Sequence, residues 1–206
     1  WMKERLRRAG VRSLGPLVDV TNYVMLELGQ PMHAFDLGRL TDGIEVRRAR
    51  PGDRLELLNG AIIEPDAETL LITDHHGPLA LAGIMGGEIS SCTATTRDVF
   101  LESAFFAPAS IAGRARRYGL QTDSSYRFER GVDSQLQRRA AERATRLLID
   151  MAGGQPGPII EAVSLENLPA EPAIRPRPER LQKLLGMVIP VAQVEDILRR
   201  LGMAVS

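Results

Sequence analysis

Glu102 is the residue whose setting most demands a chemical reason. It stands in Val99-Phe100-Leu101-Glu102-Ser103-Ala104-Phe105-Phe106, a run that otherwise reads as a buried strand. A carboxylate there is costly unless it is paired or holds a hydroxyl or an amide. Upstream lies Ala82-Gly83-Ile84-Met85-Gly86-Gly87-Glu88, where backbone can approach a ligand closely. Downstream lies Thr122-Asp123-Ser124-Ser125, which reads as a hydroxyl-rich loop. A carboxylate between a glycine turn and such a loop predicts a pocket that reads a polar atom on an otherwise apolar ligand.

Other candidates carry two readings each. The glycine turn lacks the Gly-Lys-Ser/Thr ending of a phosphate loop and the dinucleotide fingerprint. It is either a bulge or tight turn between strands, or a place where Gly86 offers its N–H to a ligand. His33, in Gln30-Pro31-Met32-His33-Ala34-Phe35-Asp36, is either a satisfied histidine among apolar neighbours or one that Pro31 presents at a cleft edge. His75-His76 beside Gly77 reads as a solvated hairpin tip. One cysteine, Cys92, and three scattered histidines make none of the usual zinc patterns, so no metal is expected. No Gly-x-Ser-x-Gly elbow is present, and Ser103 has no histidine in local register. Arg114, Arg116, Arg117 and Arg127 flank the Thr122 segment and suit either phosphate contact or a solvated face. On the last long helix, pairs such as Glu142–Arg146 favour the solvated face.

The elements that must position these groups follow from periodicity. Trp1 to Ala9 reads as a short helix stopped by Gly10. Asp19 to Gly29 reads as a second, with Asp19 as N-cap and Gly29-Gln30-Pro31 as its end. Strands are expected at Ile44–Ala49, Leu70–Thr73 and Leu79–Ala82, with a hairpin around Asn59-Gly60. Ser110 to Arg117 reads as a basic-faced helix, and Ser134 to Ala152 as a longer one stopped by Gly153-Gly154. Pro156, Pro158, Pro169, Pro172, Pro176 and Pro178 mark a linker and a domain boundary near residue 170. Two short helices follow, at 178–185 and 191–201. Roughly 30 residues cannot bury a stable core alone. The expected fold is therefore α/β of the α+β type: layered mixed sheets with flanking helices over 1–170, then the helical start of a truncated second domain over 171–206.

The chain has 206 residues, 44% hydrophobic and 25% charged, with a formal net charge of zero. No global field steers it to nucleic acid, so any such contact must be local. A single cysteine excludes an internal disulfide and suits a cytosolic setting. No apolar run is long enough to span a bilayer, so no membrane partner is expected. Trp1-Met2-Lys3-Glu4-Arg5 is not a signal peptide and reads as the interior of a longer chain.

Several segments together are specific. Val18-Asp19-Val20-Thr21-Asn22-Tyr23-Val24, Gly29 to Asp36, Gly83 to Gly87, Leu101 to Phe106 and Thr122 to Asp133 resemble, in order and spacing, the β subunit of bacterial phenylalanyl-tRNA synthetase. The resemblance implies the third and fourth domains, which form an editing module, and the opening of the fifth. It implies a cytoplasmic αβ heterotetramer and partnership with the α subunit and phenylalanine tRNA. ATP and magnesium would serve the full enzyme through the α subunit, with no cofactor in this segment. The activity implied here is hydrolysis of tyrosine mischarged onto phenylalanine tRNA. Glu102 matches the residue holding the tyrosine hydroxyl, and Gly86 the glycine whose backbone helps at the same end. Thr122 and Ser124 match positions lining the pocket, and Thr21 and Asn22 polar residues on one wall. His33 matches a histidine near the terminal ribose and ester, where it would position water or act as a weak base. Ser124 stands where alanine is frequent, and Tyr126 where histidine is frequent, the latter outside the pocket. The rival reading is a non-catalytic scaffold that docks tRNA and subunits around a vestigial amino-acid pocket. Another is a module that binds free tyrosine and cleaves no ester.

Overall fold

The computed structural model describes residues 1–170 and 173–205. Glu171, Pro172 and Ser206, where the expected second domain begins and ends, lie outside the described residues. The chain divides into two compact units, Trp1–Pro169 and Ala170–Ser206.

The first unit opens with α1 (Met2–Arg8) and α2 (Pro16–Leu28). Asp19 is not the N-cap of α2, as its sequence setting suggested; Gly15 is, with Pro16 following. Proline suits a helix start because its missing N–H would be unpaired there anyway. Asp19 instead lies in the first turn and clamps the incoming chain. Its carboxylate accepts the Leu14 N–H at 2.9 Å and the Ser13 hydroxyl at 2.6 Å. Gly29 ends the helix at φ 78°, a left-handed conformation that glycine adopts without strain.

Then come β1 (Met32–Asp36), β2 (Glu45–Arg48), β3 (Leu55–Glu56), β4 (Ile62–Ile63), β5 (Leu70–Thr73), β6 (Pro78–Leu81), β7 (Met85–Gly86) and β8 (Val99–Ser103). They form a four-stranded sheet in the order β2-β5-β6-β7, a β3-β4 hairpin, and a β1-β8 ribbon. Every pairing among the described residues is antiparallel, and these sheets with their flanking helices make the expected α+β fold. Short turns such as those joining β5, β6 and β7 permit only antiparallel neighbours. The Asn59-Gly60 hairpin forms, but Leu58 lies in the turn and not in a strand. The Gly60 N–H donates to the Leu57 carbonyl at 2.8 Å, and Leu57 N–H to the Ala61 carbonyl at 2.9 Å.

The helical end contains α3 (Pro108–Ile111), α4 (Arg114–Arg117), α5 (Asp123–Phe128) and α6 (Gln137–Ala152). The single helix expected over 110–117 is broken. Ala112 is extended, at ψ 124°, and Gly113 takes φ 75°. The expected hydroxyl-rich loop is instead the start of α5. The expected Glu142–Arg146 pair is replaced by Arg138–Glu142 and Arg146–Asp150, at 3.0 and 3.1 Å.

The β1-β8 ribbon separates two cores, because successive strand side chains point to opposite faces. One face sends Phe35, with Phe100 opposite it, into a core of Leu55, Leu57, Leu71, Ile72, Leu81 and Phe128. The other sends Met32 and Leu101 against α1, α2 and α6, where Leu6, Val20, Val24, Ala140 and Ala144 are buried.

The second unit contains α7 (Pro178–Leu185) and α8 (Val191–Arg200), neither of which buries a residue.

Candidate functional site

The ribbon that divides the cores also assembles the site. In its register His33 is paired with Glu102 and Phe35 with Phe100. His33 and Glu102 therefore share the face that looks into the sheet core, with Cβ atoms roughly 4.5–5.5 Å apart as cross-strand partners. Both line a cavity of about 210 Å³, together with Gly86, Ser124, Ile84, Leu58 and Phe128. A cavity of about 150 Å³ is enough for benzene. This one has room for a substituted ring.

The cavity's charge state follows from its walls. Glu102 touches the cavity but has no hydrogen-bond partner among the described residues. Removal from bulk water pushes its carboxyl up to about 7. Burial acts on His33 in the opposite sense and pushes its imidazole down to about 4. His33 Nε2 is buried and has no hydrogen-bond partner among the described residues. The imidazole is braced edge-on against Phe35, with ring centroids 4.5 Å apart at 82°.

Gly86 explains why the imidazole fits. A Cβ there would meet His33 Cε1 and would lie 2.7 Å from His33 Nε2. The space over Gly86 is thus filled by His33. Its carbonyl accepts the Leu58 N–H at 3.1 Å. The glycine turn is a tight turn between β6 and β7, with the Ile84 N–H bonded to the Leu81 carbonyl. Gly83 takes φ 69°, and a Cβ there would lie 2.9 Å from Phe128 and 3.0 Å from Phe106.

Thr21, Asn22 and Thr122 line a second, larger cleft of about 430 Å³. Pro31, Met32 and Ser124 line both spaces, which makes them neighbours. Here most hydroxyls are already engaged. Thr21 donates to the Val18 carbonyl at 2.9 Å within its own helix. Thr122 caps α5 in a reciprocal box with Ser125 and donates to the Ile84 carbonyl at 2.9 Å. Ser124 donates to the Gly83 carbonyl at 3.1 Å. Thr122 and Ser124 thereby staple α5 to the glycine turn. The Asn22 amide has no protein partner among the described residues.

The structure thus groups the expected residues into two sets, Glu102, His33, Gly86 and Ser124 in the inner cavity, and Thr21, Asn22, Thr122 and Ser124 in the outer cleft. Sequence reading missed Pro31 and Met32, the shared wall, and Leu58, a turn residue that reaches the cavity. It also missed Arg12, an exposed guanidinium lining the outer cleft with no ion pair among the described residues. Gln30 was missed as a positioning residue. Fully buried, it donates to the carbonyls of Pro31 at 2.9 Å and Ala104 at 2.8 Å, and accepts from Gln137 at 3.0 Å. Those bonds tie the start of β1 to the segment after β8. A polar residue between a glycine cap and a proline was the available signal.

Other candidates resolve plainly. Arg117 pairs with Asp66 at 2.9 Å, Arg114 with Glu68 at 3.7 Å, and Arg127 with Asp123 at 2.8 Å. Of the four arginines expected near phosphate, Arg116 alone has no ion pair among the described residues. His75 and His76 are exposed at their hairpin tip. Tyr126 is exposed and lies under the Arg130 guanidinium at 3.5 Å. Among the described residues no three metal-ligating side chains cluster, and no helix is long and apolar enough to cross a membrane.

Comparison with known proteins adds the family. A family model described as the B3/4 domain matches residues 1–153. A phenylalanine–tRNA ligase beta subunit from Methylococcus capsulatus is 62% identical over 206 residues, covering 100% of this chain and 26% of that relative. The corresponding subunit from Yersinia pestis is 57% identical with the same coverage. The chain thus spans about a quarter of the length of these curated relatives. An N-terminal fragment of the phenylalanyl-tRNA synthetase beta-subunit from Pyrococcus horikoshii aligns at 13% identity with a TM-score of 0.46, covering 88% of this chain and 54% of that one.

Proposed function

The chain belongs to the B3/4 domain family, and from that premise we propose that it is an editing module that hydrolyses tyrosine mischarged onto phenylalanine tRNA. The complete protein would be the β subunit of a cytoplasmic phenylalanine–tRNA ligase, working with an α subunit that holds the ATP and magnesium sites. The similarity to phenylalanine–tRNA ligase beta subunits supports that assignment.

One observation carries the reading. Glu102 lines a ring-sized cavity, and its carboxyl has no hydrogen-bond partner among the described residues. Tyrosine differs from phenylalanine by one hydroxyl, and an apolar synthetic pocket rejects such an added hydroxyl poorly. A pocket that requires the hydroxyl discriminates better, because phenylalanine leaves the carboxyl unpaired. That loss is worth about 1.5–3 kcal/mol, or roughly 10–100-fold. With the ring in the inner cavity, the terminal nucleoside of the tRNA occupies the outer cleft. The Asn22 amide can bond its ribose, and Arg12 suits its phosphate.

The ester then lies at the shared wall of Pro31, Met32 and Ser124. A water held there attacks the ester carbonyl carbon. The carbon–oxygen bond to the ribose breaks, and the ribose oxygen takes the proton, releasing tyrosine and intact tRNA. An aminoacyl ester is already labile, so orientation supplies most of what is needed. The tRNA's own terminal hydroxyl is available to hold the water.

The test is deacylation of preformed Tyr-tRNA and Phe-tRNA by the complete subunit assembled with its partner. Glu102→Ala should abolish the preference for the tyrosyl ester. Undiminished preference in that variant would refute the recognition role.

A further inference from the structure

We propose that Asp19 is a positioning residue for the outer cleft. From inside α2 it fixes the strap of residues 11–14 that carries Arg12, and so sets that guanidinium where the terminal phosphate of the tRNA arrives. The inference rests on the editing reading above, in which the terminal nucleoside occupies this cleft.

The strap joins α1 to α2 and is bounded by Gly10 at φ 78° and Gly15 at φ 134°. Val11, Arg12 and Leu14 of the strap all line the outer cleft. Its two ends are anchored through backbone. The Val11 N–H donates to the Leu6 carbonyl at 2.9 Å, and the Asp19 N–H to the Gly15 carbonyl at 2.8 Å. Between those anchors packing holds little, for Arg12 is exposed and Leu14 is 60% exposed. What fixes the middle is one side chain. Asp19 Oδ1 accepts the Leu14 N–H, and Oδ2 accepts the Ser13 hydroxyl.

The cost of that side chain argues for a task. Asp19 is 2% exposed and has no ion pair among the described residues. A buried carboxylate without a cation is unfavourable unless hydrogen bonds satisfy it. Among the described residues its side-chain bonds both go to the strap. Its place in the first turn of α2 adds the favourable field of a helix start. A carboxylate can accept both bonds at once, one on each oxygen. A carboxamide cannot, since its nitrogen only donates. Arg12, at the middle of the strap so held, has no ion pair among the described residues and is open to an anion. A guanidinium on a fixed backbone loses less freedom on binding a phosphate than one on a loose loop.

The experiment measures kcat and KM for deacylation of Tyr-tRNA and Phe-tRNA over a series of salt concentrations, with the complete subunit in its assembled enzyme. Asp19→Ala removes both acceptors, and Asp19→Asn keeps the shape and one of them. The expected result for Asp19→Ala is a KM raised about tenfold for both esters alike, as for one lost contact to a charged group. Asp19→Asn should fall in between. The slope of log KM against log salt should drop by about 0.7–1, the share of one phosphate. Arg12→Gln should give the same drop, and adding Asp19→Ala to it should change KM by less than about threefold. A merely weakened helix would leave the salt slope where it was. Ser13→Ala removes one bond from the strap side and leaves α2 intact, with an expected rise in KM of about threefold. It carries the test together with Asp19→Asn if Asp19→Ala does not fold. Wild-type KM and salt slope in these variants overturn the inference. So does a tenfold rise from Asp19→Ala that persists undiminished beside Arg12→Gln, because Asp19 would then not act through Arg12. A wild-type enzyme that shows no preference for Tyr-tRNA would instead overturn the editing reading itself.

Discussion

The inner cavity and the outer cleft share a wall, yet they treat polar groups in opposite ways. In the outer cleft, Thr21, Thr122 and Ser124 each donate to a backbone carbonyl of the protein. In the inner cavity, Glu102 and His33 Nε2 are left without partners among the described residues. A hydroxyl that already has its bond shapes a surface, whereas an unpaired buried group makes a demand on whatever enters. On the proposed reading, the outer cleft supports the ligand and the inner cavity tests it.

That contrast breaks first at Glu102. Glu102→Gln removes a charge that burial disfavours. A carboxyl raised from 4.5 to about 7 costs the fold about 3 kcal/mol once ionised, as an upper bound. Its native form holds a proton that the unfolded chain has already lost, so the contribution of Glu102 to stability falls as pH rises between those values. Glu102→Gln should therefore be more stable than the parent above pH 7, by up to that amount. The gain should vanish near pH 4.5. Urea titrations across that range check both sign and size. A gain independent of pH would mean that packing, and not charge, sets the difference.

Gly86→Ala tests the inner cavity from the opposite wall. Its Cβ would drive His33 off its perch or displace Leu58, whose Cδ1 would lie 3.2 Å away. Overpacking of this kind costs about 1–3 kcal/mol. Chemical denaturation should show the loss.

The outer cleft should respond more weakly, and unevenly. Thr122→Ala loses a helix cap and the bond to Ile84, for about 1 kcal/mol of stability. Asn22→Ala should stay within about 0.5 kcal/mol of the parent, since the amide bonds nothing among the described residues. It should slow deacylation of tyrosyl and phenylalanyl esters alike. A selective effect on the tyrosyl ester would blur the division between the two spaces.

Much of this was legible in the chain, and the gaps have physical reasons. Glu102 announced itself because strand periodicity makes a lone carboxylate conspicuous. Its partnership with His33 was invisible, because it depends on register, and a slip of one residue would send His33 to the other face. Thr122 was noticed as a hydroxyl near the pocket, but a pocket hydroxyl and a helix cap look alike until the backbone is seen. Here the cap is completed by Ser125, not by the usual acid or amide. The helix expected over 110–117 failed at Gly113, since one glycine does not reveal whether it will leave helical space. Gly29, the hairpin at Asn59-Gly60 and the exposed His75-His76 were readable because each rests on local chemistry.

The pairing of a sinking imidazole with a rising carboxyl has one more consequence. Between about pH 4.5 and 6.5 an unfolded chain keeps a proton on His33 and leaves Glu102 bare. The folded chain keeps the same number of protons but holds that one on the carboxyl. Folding is thus an internal proton transfer that turns what water would favour as a zwitterion into two uncharged groups. Across that interval the pair adds no slope to stability, and it presents no ionised group to the cavity.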